Sequence, residues 1–581
     1  MAGLFLVSTR DREFAESALA GARRQFALHG FSGLSEHAWP GWRLIHAPFI
    51  LGGPESLLAR GDDLVAVAGT LSCDGQFGQP ALEALLAMAD APDWSRIGGQ
   101  FVALVRAQGR TRLFTDFFGA FQLFHDAERR VFSTSLLSAI EALPNVSFDP
   151  QGVYEFAFNV VPVGDDTVFA ELKTLGPDRV AEPSPDGVRL HDAAKPLPEA
   201  TCEMPLLDRL AIHRDRLLSV VGPYAQAFEG RIFCPISGGL DSRLALAALK
   251  ACGVMPSLYV YGGAESADVR IGREIAAGEG AAIEWLDKEG WREVAPDAFP
   301  DQVEANFHAY DGLPNYGELF ENGANAFARE ARHQDGALSV SGGCGEVYRN
   351  FFFLPDRPLS AAAVARTFFA RYARSDVTAA FDERAFLRGI EDKMLAALGR
   401  PGFRGKLPRA LIEQVYPRVR CRALFGREIS LEARYGPYLM PFLDHRVAAE
   451  AARLPLALKN AGRFEAALLN AISPRLASYP SAYGHDFTGP PGAAHRRAEF
   501  LTRIRPTMLR RYSYALRRRM GPVADEHGGL LSPDYMGRVV DLDFPAMRRF
   551  FRTGRIGDSG MMRRIANLEY LAAKLGSKLA P

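Results

Sequence analysis

Residues 233–243 read FCPISGGLDSR, an apolar run that ends in Ser-Gly-Gly and is followed by a carboxylate and a second serine. The run has strand length, and the residues after it, 241–252, have the spacing of a helix. Strand, glycine turn and helix in that order form half of a parallel βαβ unit, which commits this part of the chain to an α/β fold. In such folds ligands bind where strands end and helices begin. The helix start points unpaired N–H groups at that crevice. Gly238 and Gly239 let backbone come close to a ligand, and Ser237 and Ser242 add hydroxyl donors. The set suits an anion with several acceptor oxygens, such as a pyrophosphate.

Asp241 does not attract an anion by itself. Beside a phosphate it makes sense through a bridging cation, with Mg2+ the expected choice. The Walker A pattern is absent, so an ordinary P-loop is not indicated. The same residues also suit a plain βα turn in which Asp241 caps the helix.

The 581 residues exceed what one core usually serves, so two or more domains are expected. Residues 1–195 look β-rich, with strands expected at 64–71, 101–107, 111–119 and 130–135 and a helix at 81–91. Pro183, Pro185, Pro196 and Pro198 suggest a linker. A second unit, 205–581, opens on an amphipathic helix from Leu206. Strands at 257–263 and 336–343 and a helix near 268–279 continue the βαβ pattern, and the chain beyond about 360 reads as mainly helical. Lys+Arg and Asp+Glu are 68 each, so net charge points to no nucleic-acid partner. No run has the length of a spanning helix, so no membrane segment is expected. Six scattered cysteines without zinc spacing fit reduced thiols in a cytoplasmic protein.

SGGLDS resembles the SGGxDS pyrophosphate loop of the N-type ATP pyrophosphatases. Within that group the chain is similar to the asparagine synthetase B superfamily, which includes asparagine synthetase, β-lactam synthetase and lasso-peptide cyclases. YLMPFLDHRVAAEAARLP (438–455) resembles the PFLDH segment of that superfamily. TDFFGAFQLFH (115–125) and VFSTSLLSAI (131–140) resemble the end of its N-terminal amidohydrolase domain. The resemblance implies an Ntn-hydrolase-like αββα sandwich over 1–195, followed by a parallel-sheet ATP-pyrophosphatase domain with a largely helical C-terminal part. It implies ATP and Mg2+, the latter held by Asp241 and Glu346.

The resemblance also exposes departures. Glutamine-dependent members begin Met-Cys-Gly, whereas this chain begins Met1-Ala2-Gly3. Without the thiol no thioester forms, so glutaminase activity is expected to be lost. Val260, Tyr261 and Gly262 fall where the family faces adenine, or are plain core. SGGCGEVYRNFF (341–352) resembles the family's GxGxDE loop. It keeps Gly343, has Gly345 where the family has Asp, and has Glu346 as the following Glu. Glu346 is expected to hold metal or act as a base toward the amine; it also suits a helix cap. Arg349 is placed to pair with Glu346 or to contact phosphate. A family lysine downstream of PFLDH is replaced by Glu465 or Ala466, with Lys459 and Arg463 as the nearby cations. Arg463 is the expected substitute, since transition-state charge needs a positive group, although it also suits a solvated helix start. A second family lysine falls within 482–487, where His485 is the donor or a plain loop residue. Segment 495–519 holds nine arginines and reads as a solvated face or a docking surface for an acidic peptide.

The function implied is ATP-dependent amide formation through an acyl-adenylate, with an amine carried by a small-molecule or peptide substrate. A lasso-peptide macrocyclase fits best, with a precursor peptide and its leader-peptide protease as partners. Ammonia-dependent asparagine synthesis, another natural-product amide ligase, a glutamine-dependent amidotransferase and a non-catalytic nucleotide- or peptide-binding paralogue remain open.

Overall fold

The computed structural model describes residues 3–315, 318–520 and 529–580, so Ala2 lies outside the described residues. Residues 3–192 build two six-stranded antiparallel sheets. The first is centred on Val131–Ser133, Gly3–Ser8 and Trp42–Ala47, and the second on Arg110–Thr115, Ile97–Ala107 and Asp63–Cys73. Period-two alternation sets the layers. Along Asp63–Cys73, Leu64, Ala66 and Ala68 join the core shared with the first sheet. Val65 and Val67 instead meet Leu82 and Leu85 of helix Gln79–Ala87 on the other face. Helices Arg12–Leu28 and Leu136–Ala142 lie against the first sheet, which makes four layers, αββα.

The prolines correct one expectation. Pro183 belongs to strand Arg179–Ser184, opposite Val188, and Pro185 lies in the turn that follows. This strand bonds its inner neighbour only at Ala181, so Pro183 owes that side no N–H. The connection toward Leu206–Ala227 comes later, and it is docked: the Lys195 ammonium donates to the carbonyls of Thr115 and Asp116.

Residues 232–439 supply a five-stranded parallel sheet. Its order is Ile283–Leu286, Ser257–Tyr261, Ile232–Pro235, Leu338–Val340, Tyr438–Leu439. The chain works outward from Ile232–Pro235 to one edge and then crosses to its other side at Leu338–Val340. The strand order therefore reverses between these two strands, and a crevice opens beyond their carboxyl ends. The expected strand at 336–343 is shorter than predicted, because its glycines leave the sheet and form the crevice wall. The two-residue edge strand Tyr438–Leu439 is covered by the antiparallel half: the Tyr438 N–H donates to Thr70 Oγ1 at 2.9 Å. One apolar core runs through both halves.

Candidate active site

Two glycine turns meet at the switch point. The first follows Ile232–Pro235 and leads into helix Asp241–Ala251, whose N-cap, Leu240, offers no side-chain hydrogen bond. The hydroxyls of Ser237 and Ser242 lie 2.9 Å apart, and the Gly239 N–H donates to Ser237 Oγ at 3.2 Å. The Gly238 N–H donates to Asp268 at 2.8 Å, which ties the turn to the neighbouring helix Ala267–Glu279. The second turn, 341–345, follows Leu338–Val340. A Cβ on Gly342 would lie 2.9 Å from the Ser242 nitrogen, so only glycine allows the two turns to approach this closely. The Gly343 N–H donates to Ser341 Oγ at 3.1 Å.

Asp241 stands at the centre of a charged cluster. Arg349 donates to Asp241 Oδ1 at 2.7 Å and to Glu465 Oε2 at 2.5 Å, and lies 3.4 Å from the Tyr483 hydroxyl. Glu346 accepts from the Tyr416 hydroxyl at 2.5 Å. Burial pushes the Asp241 carboxyl well above the usual carboxylate range; Arg349 opposes this and Glu465 adds to it. Burial and the Asp241 charge also raise Glu346, against the Arg349 charge and the Tyr416 hydrogen bond. Burial works against the Arg349 charge too, but Asp241 and Glu465 outweigh it. One guanidinium among three carboxyls leaves the cluster short of positive charge, so it retains protons or takes up a cation. Among the described residues, no three His, Cys, Asp or Glu side chains are grouped to hold a metal.

The substitution at 345 has a steric consequence. A Cβ there would sit 2.0 Å from Asp241 Oδ1. Asp241 fills the space a side chain at 345 would need.

Arg463 is not the cation of this cluster. It begins helix Arg463–Ile472 and is exposed, whereas Glu465, two residues on, points inward and is fully buried. Lys459 is also taken, buried and donating to Glu413 at 2.9 Å. The cation that reaches Asp241 is Arg349, which ends the single helical turn Gly345–Tyr348 that follows the second glycine turn. It pairs with Asp241 and Glu465, with no Glu346 pairing of the kind the sequence suggested. His485 Nδ1 lies 3.2 Å from the Tyr483 carbonyl oxygen, and its ring lines a cavity of about 260 Å³ beside the cluster. Leu240, Glu346, Phe351, Phe353 and Tyr483 also line this cavity, and its walls are mainly apolar. A separate cavity of about 50 Å³, between Phe124, Leu313 and Arg422, contains none of these residues.

Val260, Tyr261 and Gly262 lie at the end of the adjacent strand. Val260 is buried, packed toward Gly272 of the next helix, so its side chain serves the core. Lys288 Nζ sits 3.8 Å over the Tyr261 ring, and Gly262 accepts from Trp285 Nε1 at 2.8 Å. Tyr416 escapes sequence reading because it arrives from a distant helical segment. Tyr483 lies inside the 482–487 stretch, where the aromatic beside Gly484 was the available signal.

No family model and no curated protein matches the chain. Solved structures show partial likeness. One is the allosteric regulatory enzyme of purine biosynthesis, at 9% identity and TM-score 0.24, over 49% of this chain and 65% of that one. Another is glutamine phosphoribosylpyrophosphate amidotransferase from B. subtilis complexed with ADP and GMP, at 11% identity and TM-score 0.23, over 50% of this chain and 91% of that one. The chain thus spans less than two thirds of the first of these structures. Scores this low do not set the fold here, which rests on the chain's own sheet order: a mixed α/β protein with antiparallel and parallel sheets.

Proposed function

We propose that the protein is an ATP-dependent amide-forming ligase that adenylates a carboxylate presented by a polypeptide. The observation that carries this reading is the meeting of two glycine turns at the uncapped start of helix Asp241–Ala251, beside a carboxylate cluster short of positive charge. The turns and helix start suit the phosphates of ATP. Asp241 is the residue that would hold Mg2+, since this ion needs only one or two carboxylates and takes its other ligands from phosphate and water, which leaves Glu346 free to act as a base. When bound, the ion supplies neutralisation of phosphate charge.

In the reaction proposed, a carboxylate oxygen attacks the α-phosphorus. The bond from that phosphorus to the bridging oxygen breaks, and pyrophosphate leaves with the electron pair. An amine nitrogen then attacks the activated carbonyl carbon, AMP leaves with the C–O pair, and the amine proton passes to Glu346. Burial and the Asp241 charge raise Glu346 above an ordinary carboxyl, which makes it a stronger base than a free glutamate. Arg349, the cation closest to Asp241, is the group placed to meet developing charge once its partners turn to the substrate complex.

The apolar cavity favours a peptide carboxylate over free aspartate, which would need a small polar pocket for its three charges. Macrocyclisation of a lasso-type precursor, joining its N-terminal amine to an Asp or Glu side chain, is the form that best uses an open apolar cavity and an N-terminal half without the family cysteine at position 2. That half is proposed to be an Ntn-like domain without glutaminase activity, and a leader-peptide protease the partner of the reaction. A binding-only paralogue is favoured by one observation: Arg349, the cation at the cluster, is already engaged by both Asp241 and Glu465.

ATP–pyrophosphate exchange separates the two. Exchange stimulated by an Asp- or Glu-bearing peptide and abolished by Asp241→Asn is the expected result. Exchange that is absent with every carboxylate, or unchanged in that variant, overturns the ligase reading.

A further inference from the structure

Beside the cavity, helix Ala493–Ile504 buries none of its side chains. Its inward face carries half-buried His495, Glu499, Thr502 and Arg503, and His495 and Glu499 line the cavity. Its outward face carries Phe500 and Leu501, each 49% exposed, and Ile504, 56% exposed. Met508, Leu509 and Leu516 extend this exposed apolar surface along the next two short helices, Thr507–Arg510 and Ser513–Met520. Exposed apolar side chains gathered along one stretch of chain in this way suit an interaction site.

The charge on the same surface is one-sided. Arg496, Arg497, Arg505 and Arg517 are exposed, and no acidic side chain among the described residues pairs with them. The lone acid of this stretch, Glu499, is turned inward, where it accepts the Ala461 N–H. Arg496 and Arg497 stand one turn before Phe500 and Leu501, so cations and apolar groups share one face. A membrane-surface helix separates the two onto opposite faces, and this one does not. Arg510 is buried and fastens the surface to the cavity wall, donating to the carbonyls of Thr502, Phe352 and Phe353.

We infer that the exposed face of residues 493–517 docks an acidic peptide segment rich in aromatic or aliphatic side chains, and feeds the attached carboxylate into the adjacent cavity. The occupant rests on the ligase reading above; the docking chemistry does not. Charge complementarity selects the acidic segment, the mixed face selects apolar residues interleaved with the acids, and continuity with the cavity selects the substrate rather than an unrelated partner.

The test is direct binding, without nucleotide, of a labelled random copolymer of Glu and Tyr to the full chain, with poly-Glu and phosphatidylglycerol vesicles run in parallel. The copolymer is expected to bind. Replacing Phe500, Leu501 and Ile504 together by Ser is expected to weaken it by roughly tenfold or more, with the thermal melt unchanged because all three are exposed. The Arg496→Glu, Arg497→Glu double variant is expected to weaken it by as much and to flatten its salt dependence. Undiminished binding in both variants, poly-Glu binding as tightly as the copolymer, or binding of vesicles but not copolymer each overturns the proposal. Because no ATP is present, docking that survives while exchange fails for every carboxylate removes the ligase reading alone. Exchange that survives while docking fails removes this proposal alone.

Discussion

Asp241 and Gly345 compete for one space, and this makes the residue scale unusually decisive. Gly345→Ala places a methyl group on Asp241 Oδ1, so the carboxylate must leave its partnership with Arg349. The overpacking cost is about 1–3 kcal/mol, which the fold tolerates, whereas exchange activity is expected to drop about a hundredfold, a barrier change of about 2.7 kcal/mol. Activity lost with only a small shift in melting temperature is the result to look for. Arg349→Met acts the other way round. It leaves fully buried Glu465 and partly exposed Asp241 without a cation, and urea unfolding is expected to show a loss of about 2–3 kcal/mol, less than the roughly 3–5 kcal/mol of a fully buried pair because solvent reaches Asp241. Glu346 gives a pH signature. As a base it works deprotonated, so the rate rises with pH through its raised pKa. The Tyr416 hydroxyl donates to the carboxylate and holds that pKa down. Tyr416→Phe is therefore expected to move the acid limb of the pH–rate profile to higher pH, and Glu346→Gln to abolish the limb.

At the scale of elements, Arg510 links two pieces of backbone that share no strand or helix. It caps the end of helix Ala493–Ile504 through the carbonyls of Thr502 and Arg503, and it holds the Phe352 and Phe353 carbonyls beside the cavity. Arg510→Ala is expected to speed amide hydrogen exchange in 493–504 by several-fold while the parallel sheet keeps its protection, since the helix has no fully buried side chain and its other attachment is the Glu499 and His495 contact with the cavity. Unchanged exchange there would show that Arg510 is not the fastener. The elements also show what was legible beforehand. Helix Leu206–Ala227 and the strand–turn–helix at 232–251 carry periodic apolar residues and glycine punctuation, which local reading detects. Strand Tyr438–Leu439 has two residues and exists because a neighbouring strand and Thr70 satisfy its backbone, information that no window of sequence holds. The site divides along the same line. Ser237, Gly238, Gly239, Asp241 and Ser242 lie in one turn and were read together. The cation that serves Asp241 was misplaced at Arg463, because a buried Glu465 and an inward Arg349 are settled by packing between segments far apart in the chain.

For the whole molecule, the junction between the antiparallel half and the parallel half is a buried polar seam, and it sets the response to acid. Asp311, from the parallel half, accepts from the Ser135 hydroxyl at 2.7 Å and from the N–H groups of Leu136 and Leu137 at 2.7 and 3.0 Å, at the start of a helix in the other half. His29, at the end of helix Arg12–Leu28, lies 3.5 Å from Asp311. Burial lowers His29 to about 3, with Arg434 and His308 adding to the effect and Asp311 opposing it. Burial also works against the Asp311 charge, but His29, Arg427, the Ser135 hydroxyl and the Leu137 N–H outweigh it, and its carboxyl lies below its ordinary range. At neutral pH His29 is uncharged, so Arg427 and the hydrogen bonds hold Asp311 ionised there. The unfolded chain binds a proton at His29 near pH 6.5 and the folded chain only near 3, so stability falls as pH drops between those values. At pH 5 this one group removes about 2 kcal/mol. His46, lowered to about 4, and His213, lowered to about 3, act in the same direction. Asp311 contributes only below its ordinary pKa, but the raised carboxyls of Asp241 and Glu346 take up protons in the fold first and offset part of the fall as pH drops toward 4. The readout is therefore the difference in urea midpoint between the native chain and a variant lacking the imidazole, followed from pH 6.5 to 4. His29→Gln is expected to reduce the slope by about one proton, which is about 1.4 kcal/mol per pH unit. An unchanged slope would mean that the seam does not open when the chain takes up acid, and that His29 titrates inside the folded protein.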